Sequence, residues 1–157
     1  MTEDEITAFA ATLPDVVVHV ASEEAGDPEP AWGDTFLFHN PDGVIPRDGR
    51  LPFATIVRSD YPGWDTASDL DRPGVWRLNI AVGRAVFTEL LGYPPAAYDD
   101  HRDGVDHTAA DRILPHPLYA VQGWVAVLNP GPATADRVRP LIEGAYTRAA
   151  RRPQRPR

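Results

Sequence analysis

The chain has no cysteine and no lysine; all 15 of its basic residues are arginine. The first absence excludes disulfides and thiol chemistry and fits a cytoplasmic protein. The second excludes Schiff-base catalysis and the lysine of a phosphate-binding P-loop. No apolar run approaches the ~20 residues of a membrane span, and the acidic, polar N-terminus is not a secretory signal. No GxGxxG motif occurs, and none of the three serines, Ser22, Ser59 and Ser68, lies in a nucleophile elbow, which leaves acyl-enzyme hydrolysis without support. No cofactor and no membrane partner is therefore expected.

What remains is an ordinary globular composition: 157 residues, 43% hydrophobic and 24% charged, enough for one domain with a real core. The net charge of −8 is uneven. Arg148, Arg151, Arg152, Arg155 and Arg157 crowd the last ten residues, leaving ten arginines against all 23 acids in residues 1–147. A body that acidic repels phosphate backbones, which argues against nucleic acid as a partner. The basic end reads as a frayed, solvated tail.

Hydrophobic periodicity gives the elements in order. Thr2 and Glu5 form a capping box ahead of Ile6, Phe9, Ala10 and Leu13 at helical spacing. The β-branched run Asp15 to Val20 is a strand, and the acidic, proline-containing stretch Ala21 to Ala31 is a mobile loop. Strands follow at Asp34 to His39 and Phe53 to Arg58, with turns at Asn40-Pro41-Asp42-Gly43 and Arg47-Asp48-Gly49 between them. Tyr93 to Asp106 is a surface loop, Ala109 to Leu114 a turn of helix, and Tyr119 to Asn129 a fifth strand. The last helix carries Val138, Leu141, Ile142, Ala145 and Ala149 on one face. Pro140 either kinks it, if Thr134 is the N-cap, or sits in its first turn, if it starts at Arg139.

The centre of the chain is Asp60 to Arg84. Asp71-Arg72-Pro73-Gly74 is a tight turn in which Gly74 supplies the positive φ of a type II turn. It opens the strand Val75 to Val82. Alternation puts Trp76, Leu78, Ile80 and Val82 on one face, which must be core, and Arg77 and Asn79 on the other. The second face either meets water, as in a half-solvated antiparallel sheet, or lines a polar pocket. Gly83 ends the strand, and Arg84 to Gly92 is a short helix. Strands joined without long helices imply an antiparallel meander. The expected fold is a single α+β domain over residues 1–150, with about five mostly antiparallel strands, N- and C-terminal helices on one face, and a disordered Arg-rich tail at 151–157.

Four groups of residues could carry chemistry. His101, Asp103, Asp106 and His107 share one loop, but no fixed ligand spacing marks a metal site, and none is expected. His116 is held stiffly between Pro115 and Pro117; it serves as acid, base or donor, or merely bonds the neighbouring backbone. Asp69, Asp71, Arg72 and Arg77 form an ionic network that either pins the turn or offers a guanidinium to an anion. Trp32, Tyr61, Trp64, Tyr119 and Trp124 wall a pocket or fill the core; Trp124 faces either way.

The blocks Trp32-Gly33-Asp34-Thr35-Phe36, Pro52 to Val57, Leu70 to Val75 with Arg77-Leu78-Asn79, Leu114-Pro115-His116-Pro117, and Trp124-Val125 together resemble a family of small actinobacterial proteins of unknown function, domain-of-unknown-function family 6194. The resemblance covers nearly the whole chain and brings no reaction, cofactor or catalytic residue. The order helix, meander, strand and helix also looks like the MmcQ/YjbR-like proteins, which implies DNA association, against the charge of this body. The leading expectation is a small-molecule-binding protein for a planar or anionic ligand, an accessory or resistance protein of specialised metabolism. Its candidate ligand-binding residues are Arg77, Asn79, Arg72, Tyr119 and Trp124. The alternatives are a cofactor-independent enzyme with His116 as the catalytic acid or base, and a DNA-associated or protein-interaction domain. A homodimer fits any of them.

Overall fold

A computed structural model describes residues 1–153. Its order is α1 (Glu3–Ala11), β1 (Val16–Val20), β2 (Thr35–His39), β3 (Ala54–Val57), β4 (Arg77–Ala81), α2 (Arg84–Leu91), α3 (Tyr98–His101), β5 (Leu114–Pro115), β6 (Trp124–Leu128) and α4 (Ala135–Arg151). The fold is α+β. Six strands, one more than expected, form a wholly antiparallel sheet in the order β1-β2-β3-β4-β6-β5.

One face of the sheet is the core. Leu37, Ala54, Ile56, Leu78, Ile80 and Val125 meet Ile6 and Ala10 of α1, Phe87 of α2, and Val138, Ile142 and Ala145 of α4. Each large side chain removed from water there contributes roughly 1.5–3 kcal/mol. The helix caps follow from local sequence. Thr2 and Glu5 make the reciprocal capping box of α1, and Gly92 ends α2 in the left-handed region at φ 81°. Pro140 lies inside α4, and Thr134 is the N-cap.

Among the described residues, the helices that build the core leave the opposite face to connecting segments. It is roofed by the excursion between β3 and β4, where Leu70 packs on Val57 and Leu128, and by the segments before β3 and before β6. The Arg72–Val75 turn that returns this excursion to β4 has Gly74 at φ 73°, as the type II reading requires. Asn129 anchors it: its amide nitrogen donates to Gly74 O at 2.8 Å and its amide oxygen accepts from Trp76 N at 3.2 Å.

Several sequence expectations are corrected. Of the two readings of the face bearing Arg77 and Asn79, the half-solvated one fails: both residues are buried, at 1% and 3% exposure, and line a cavity. Ala109 to Leu114 is not helical. Ala110 bridges Leu128, Leu114–Pro115 is the missed strand β5, and Asp111 turns at φ 54° to accept bonds from Gly131, Ala133 and Thr134 ahead of α4. The fifth predicted strand begins at Trp124, because Ala120–Gln122 is a 3-10 turn that Gly123 closes at φ 84°. The loop Ala21 to Ala31 is tied down: Asp27 accepts from Ser22 N and bonds His19 Nε2, and Trp32 Nε1 donates to Asp27 O. Tyr93 to Asp106 includes α3 and buries Tyr98. Helix α4 runs to Arg151, and residues 154–157 of the expected tail lie outside the described residues.

Candidate functional site

The roofed face of the sheet contains a cavity of about 270 Å³. Register explains its floor. Thr55 on β3 pairs with Asn79 on β4, and Asn79 with Ala126 on β6, so Phe36, Thr55, Arg77, Asn79 and Trp124 all project to this side. Tyr61, Trp64 and Asp65 come down from the β3–β4 excursion, His116 and Tyr119 from the segment after β5, and Leu51 and Pro52 from the segment before β3.

Arg77 is the hub. Its Nε donates to Asn79 Oδ1 at 2.8 Å, and Asn79 Nδ2 donates onward to Thr55 Oγ1 at 3.0 Å. Nη1 donates to Asp65 Oδ1 at 3.1 Å and Ser68 Oγ at 2.8 Å, and Nη2 donates to Asp65 Oδ2 at 2.5 Å. The two-pronged grip suited to an anionic ligand is thus taken by Asp65. The sequence reading paired Arg77 with Asp69 or Asp71. Those two instead serve the turn: Asp71 accepts from Asp60 N at 3.0 Å, and Asp69 lies 3.6 Å from the partly exposed Arg72. Arg72 donates to the carbonyls of Ser68, Asp69 and Thr108 and is not among the residues lining the cavity.

His116 meets Arg77 on the other side. Its Nδ1 accepts from Leu118 N at 3.0 Å and Tyr119 N at 3.1 Å. A backbone N–H can only donate, so the ring lone pair sits on Nδ1 and the neutral imidazole carries its proton on Nε2. That Nε2 is 3.4 Å from Arg77 Nη2, which is also a donor. Two N–H groups therefore converge at the cavity floor with no acceptor between them. Burial, then the positive charge of Arg77, holds the His116 pKa well below its ordinary 6.5, so the ring stays neutral at physiological pH. His116 does bond the neighbouring backbone, through Nδ1, while its other nitrogen faces the cavity.

Aromatic rings make the walls. His116 and Tyr119 have centroids 4.8 Å apart, Tyr119 and Trp124 6.3 Å, and Trp64 stands at the mouth, 62% exposed. Trp124 takes the Arg77 side of the sheet, the one of its two readings that places it in the cavity. Trp32 lies elsewhere, bonded to Asp27. Behind Tyr61, the fully buried Asp34 accepts the Tyr61 hydroxyl at 2.6 Å and Arg58 N at 2.9 Å. Burial outweighs those bonds and pushes its pKa up to about 6; burial and the Asp34 bond also raise Tyr61.

The HRDGVDH loop is dispersed. His101 stacks on Tyr93 at 3.9 Å, His107 Nε2 bonds the Tyr98 hydroxyl at 3.0 Å, and Asp106 caps Thr108. Among the described residues no group of three His, Asp or Glu side chains is placed to hold a metal ion, and no helix is long and apolar enough to cross a membrane.

Sequence reasoning missed Asp65, Ser68 and Thr55. Thr55 carried a signal, a polar residue between Ala54 and Ile56 in an apolar strand, but the β3–β4 register is needed to set it beside Asn79. Asp65 carried none that separates it from Asp69 and Asp71.

No curated protein and no solved structure matches the chain. The model of a family of unknown function, DUF6194, matches residues 1–157, and the chain belongs to that family.

Proposed function

We propose that the protein binds a small planar molecule in the cavity over β3, β4 and β6, and that an acceptor atom of that molecule, such as a carbonyl oxygen, settles between His116 Nε2 and Arg77 Nη2. The observation that carries this reading is the convergence of those two donors, 3.4 Å apart, on a floor whose other polar groups are bonded to one another. A buried donor without an acceptor costs about 1–3 kcal/mol, which a shared acceptor would return. The aromatic walls suit a flat ring, and about 270 Å³ approaches the size usual for a small-ligand site.

The same geometry weighs against His116 as a general base. Its basic nitrogen, Nδ1, is engaged by two backbone amides, and its cavity-facing nitrogen already carries the proton. It suits orientation and polarisation of an acceptor better than proton abstraction. A fused bicyclic ketone, 1-tetralone, compared with its hydrocarbon tetralin, tests the reading by calorimetric titration. The ketone should bind at least ten-fold tighter. His116→Asn retains an acceptor for the Leu118 and Tyr119 amides but deletes Nε2–H, and should erase that difference. Equal binding of ketone and hydrocarbon, or a ketone advantage that survives in His116→Asn, would overturn it.

A further inference from the structure

A second cavity of about 240 Å³ adjoins the first. The two share Leu51, Pro52, Gln122 and Trp124 as lining, so they lie side by side along those residues. The second cavity lies at the strand end beside Ala81, against Ala145, Arg148 and Ala149 of the last turns of α4 and Arg152 just after it. Its chemistry differs from that of the first, since both of its charged lining residues are arginines and it contains no acid.

Arg148 is held in place. Its Nη1 donates to Ala81 O at 2.9 Å, and its guanidinium lies across Gly83 so closely that a Cβ there would come within 2.4 Å of Cζ. The absent side chain of Gly83 makes the slot, and its φ of 84° independently favours glycine. One of the five guanidinium N–H donors is used by Ala81. Among the described residues neither Arg148 nor Arg152 makes an ion pair, although the chain is acidic overall, at −8. Partial desolvation against the cavity wall and the neighbouring Arg152 charge lower the Arg148 pKa from its ordinary value, although the residue is exposed.

We propose that the second cavity takes the anionic end, a carboxylate or a phosphate, of the molecule whose planar body occupies the first, with Arg148 and Arg152 as its grip. This rests on the binding reading above and moves the anion site from Arg77, whose fork is filled by Asp65, to the end of α4. Guanidinium pairs favour such oxyanions through charge-assisted, often two-pronged bonds. The ligand is then a two-part molecule, a flat acceptor-bearing ring joined by a short tether to an acid.

Two measurements test this. In the first, amide and arginine Nε–H resonances are followed at low salt during titration with inorganic phosphate and, separately, acetate. Saturable shifts are expected at Gly83, Arg148 and Arg152, larger for the oxyanion class the site prefers, and weakened at least ten-fold in Arg148→Gln/Arg152→Gln. Arg152→Gln alone, at an exposed position, should give a partial loss and guards against a folding defect in the double variant. No saturable shift, or shifts indifferent to both variants, would overturn the anion site. In the second, 1-tetralone bearing a butanoate chain is compared with its methyl ester. The acid should bind at least ten-fold tighter, and the double variant should abolish the difference while leaving ester and 1-tetralone binding unchanged. Equal binding of acid and ester refutes the two-part ligand and leaves the first cavity's reading intact. Phosphate shifts without any tetralone binding refute the first reading and, with it, the two-part ligand.

Discussion

Replacing Arg77 with alanine should be among the most damaging single changes in the chain. The side chain is 1% exposed and supplies donors to Asp65, Ser68 and Asn79 at 2.5–3.1 Å. Its removal strands Asp65, itself 9% exposed, as a buried carboxylate without a partner, and frees Asn79 Oδ1 and Ser68. Breaking a buried pair in this way costs roughly 3–5 kcal/mol, a large part of the roughly 5–15 kcal/mol that holds a domain folded. Arg77→Lys keeps the charge but offers one ammonium in place of a planar fork. It should lose at least one charge-assisted bond, worth about 1.5–3 kcal/mol. Asp65→Asn combined with Arg77→Met removes both charges and should cost at least ~2 kcal/mol less than the sum of the single changes, because neither charge is left stranded. Urea denaturation at pH 7, with unchanged m-values, measures wild type, Arg77→Ala, Arg77→Lys, the double variant and its two single changes. If Arg77→Ala costs less than about 1 kcal/mol, as a surface pair would, then the pair is solvated and the cavity floor is not dry.

Further expectations concern the core and the titrating groups. Leu78→Ala empties a fully buried position facing α1 and α4 and should cost roughly 2–5 kcal/mol in chemical denaturation; no loss would mean that the β4 register is off by one residue. Asp34, raised to about 6, favours its protonated form in the folded protein, so its contribution to stability falls as pH rises from about 4 through 6, by about 3 kcal/mol at 1.36 kcal/mol per pH unit. His116 acts in the opposite sense: lowered from 6.5, it contributes stability fully present above that pH and lost as pH falls below it. Asp34→Asn should therefore improve stability relative to wild type more at pH 7 than at pH 4, by up to about 3 kcal/mol. Parallel stability–pH curves for the two proteins would show that Asp34 is not desolvated.

Much of the fold was legible because it is local. The capping box of Thr2 and Glu5, the Pro73-Gly74 turn and the alternation of Trp76, Leu78, Ile80 and Val82 are set by residues a few positions apart. So was the shared direction of Arg77 and Asn79, since parity along a strand fixes which side chains point together. Errors fell where the outcome depends on distant partners. The segment 109–114 has helix-compatible residues, yet Ala110 and Leu114 pair with β6 and Asp111 is claimed by the turn before α4.

The sequence by itself determined an antiparallel α+β domain, a core on the Leu78 face and a polar file on the Arg77 face. Only the tertiary structure decided that Asp65, rather than Asp69 or Asp71, takes the guanidinium, because the choice among three carboxylates in one excursion depends on how that excursion folds back over the sheet. It alone set Thr55 beside Asn79, turned the His116 N–H toward Arg77, and laid Arg148 across Gly83 from 65 positions away. Each of these is a contact between residues far apart in the chain, and local propensity is silent on contacts whose entropy cost is met by the packing of the whole domain.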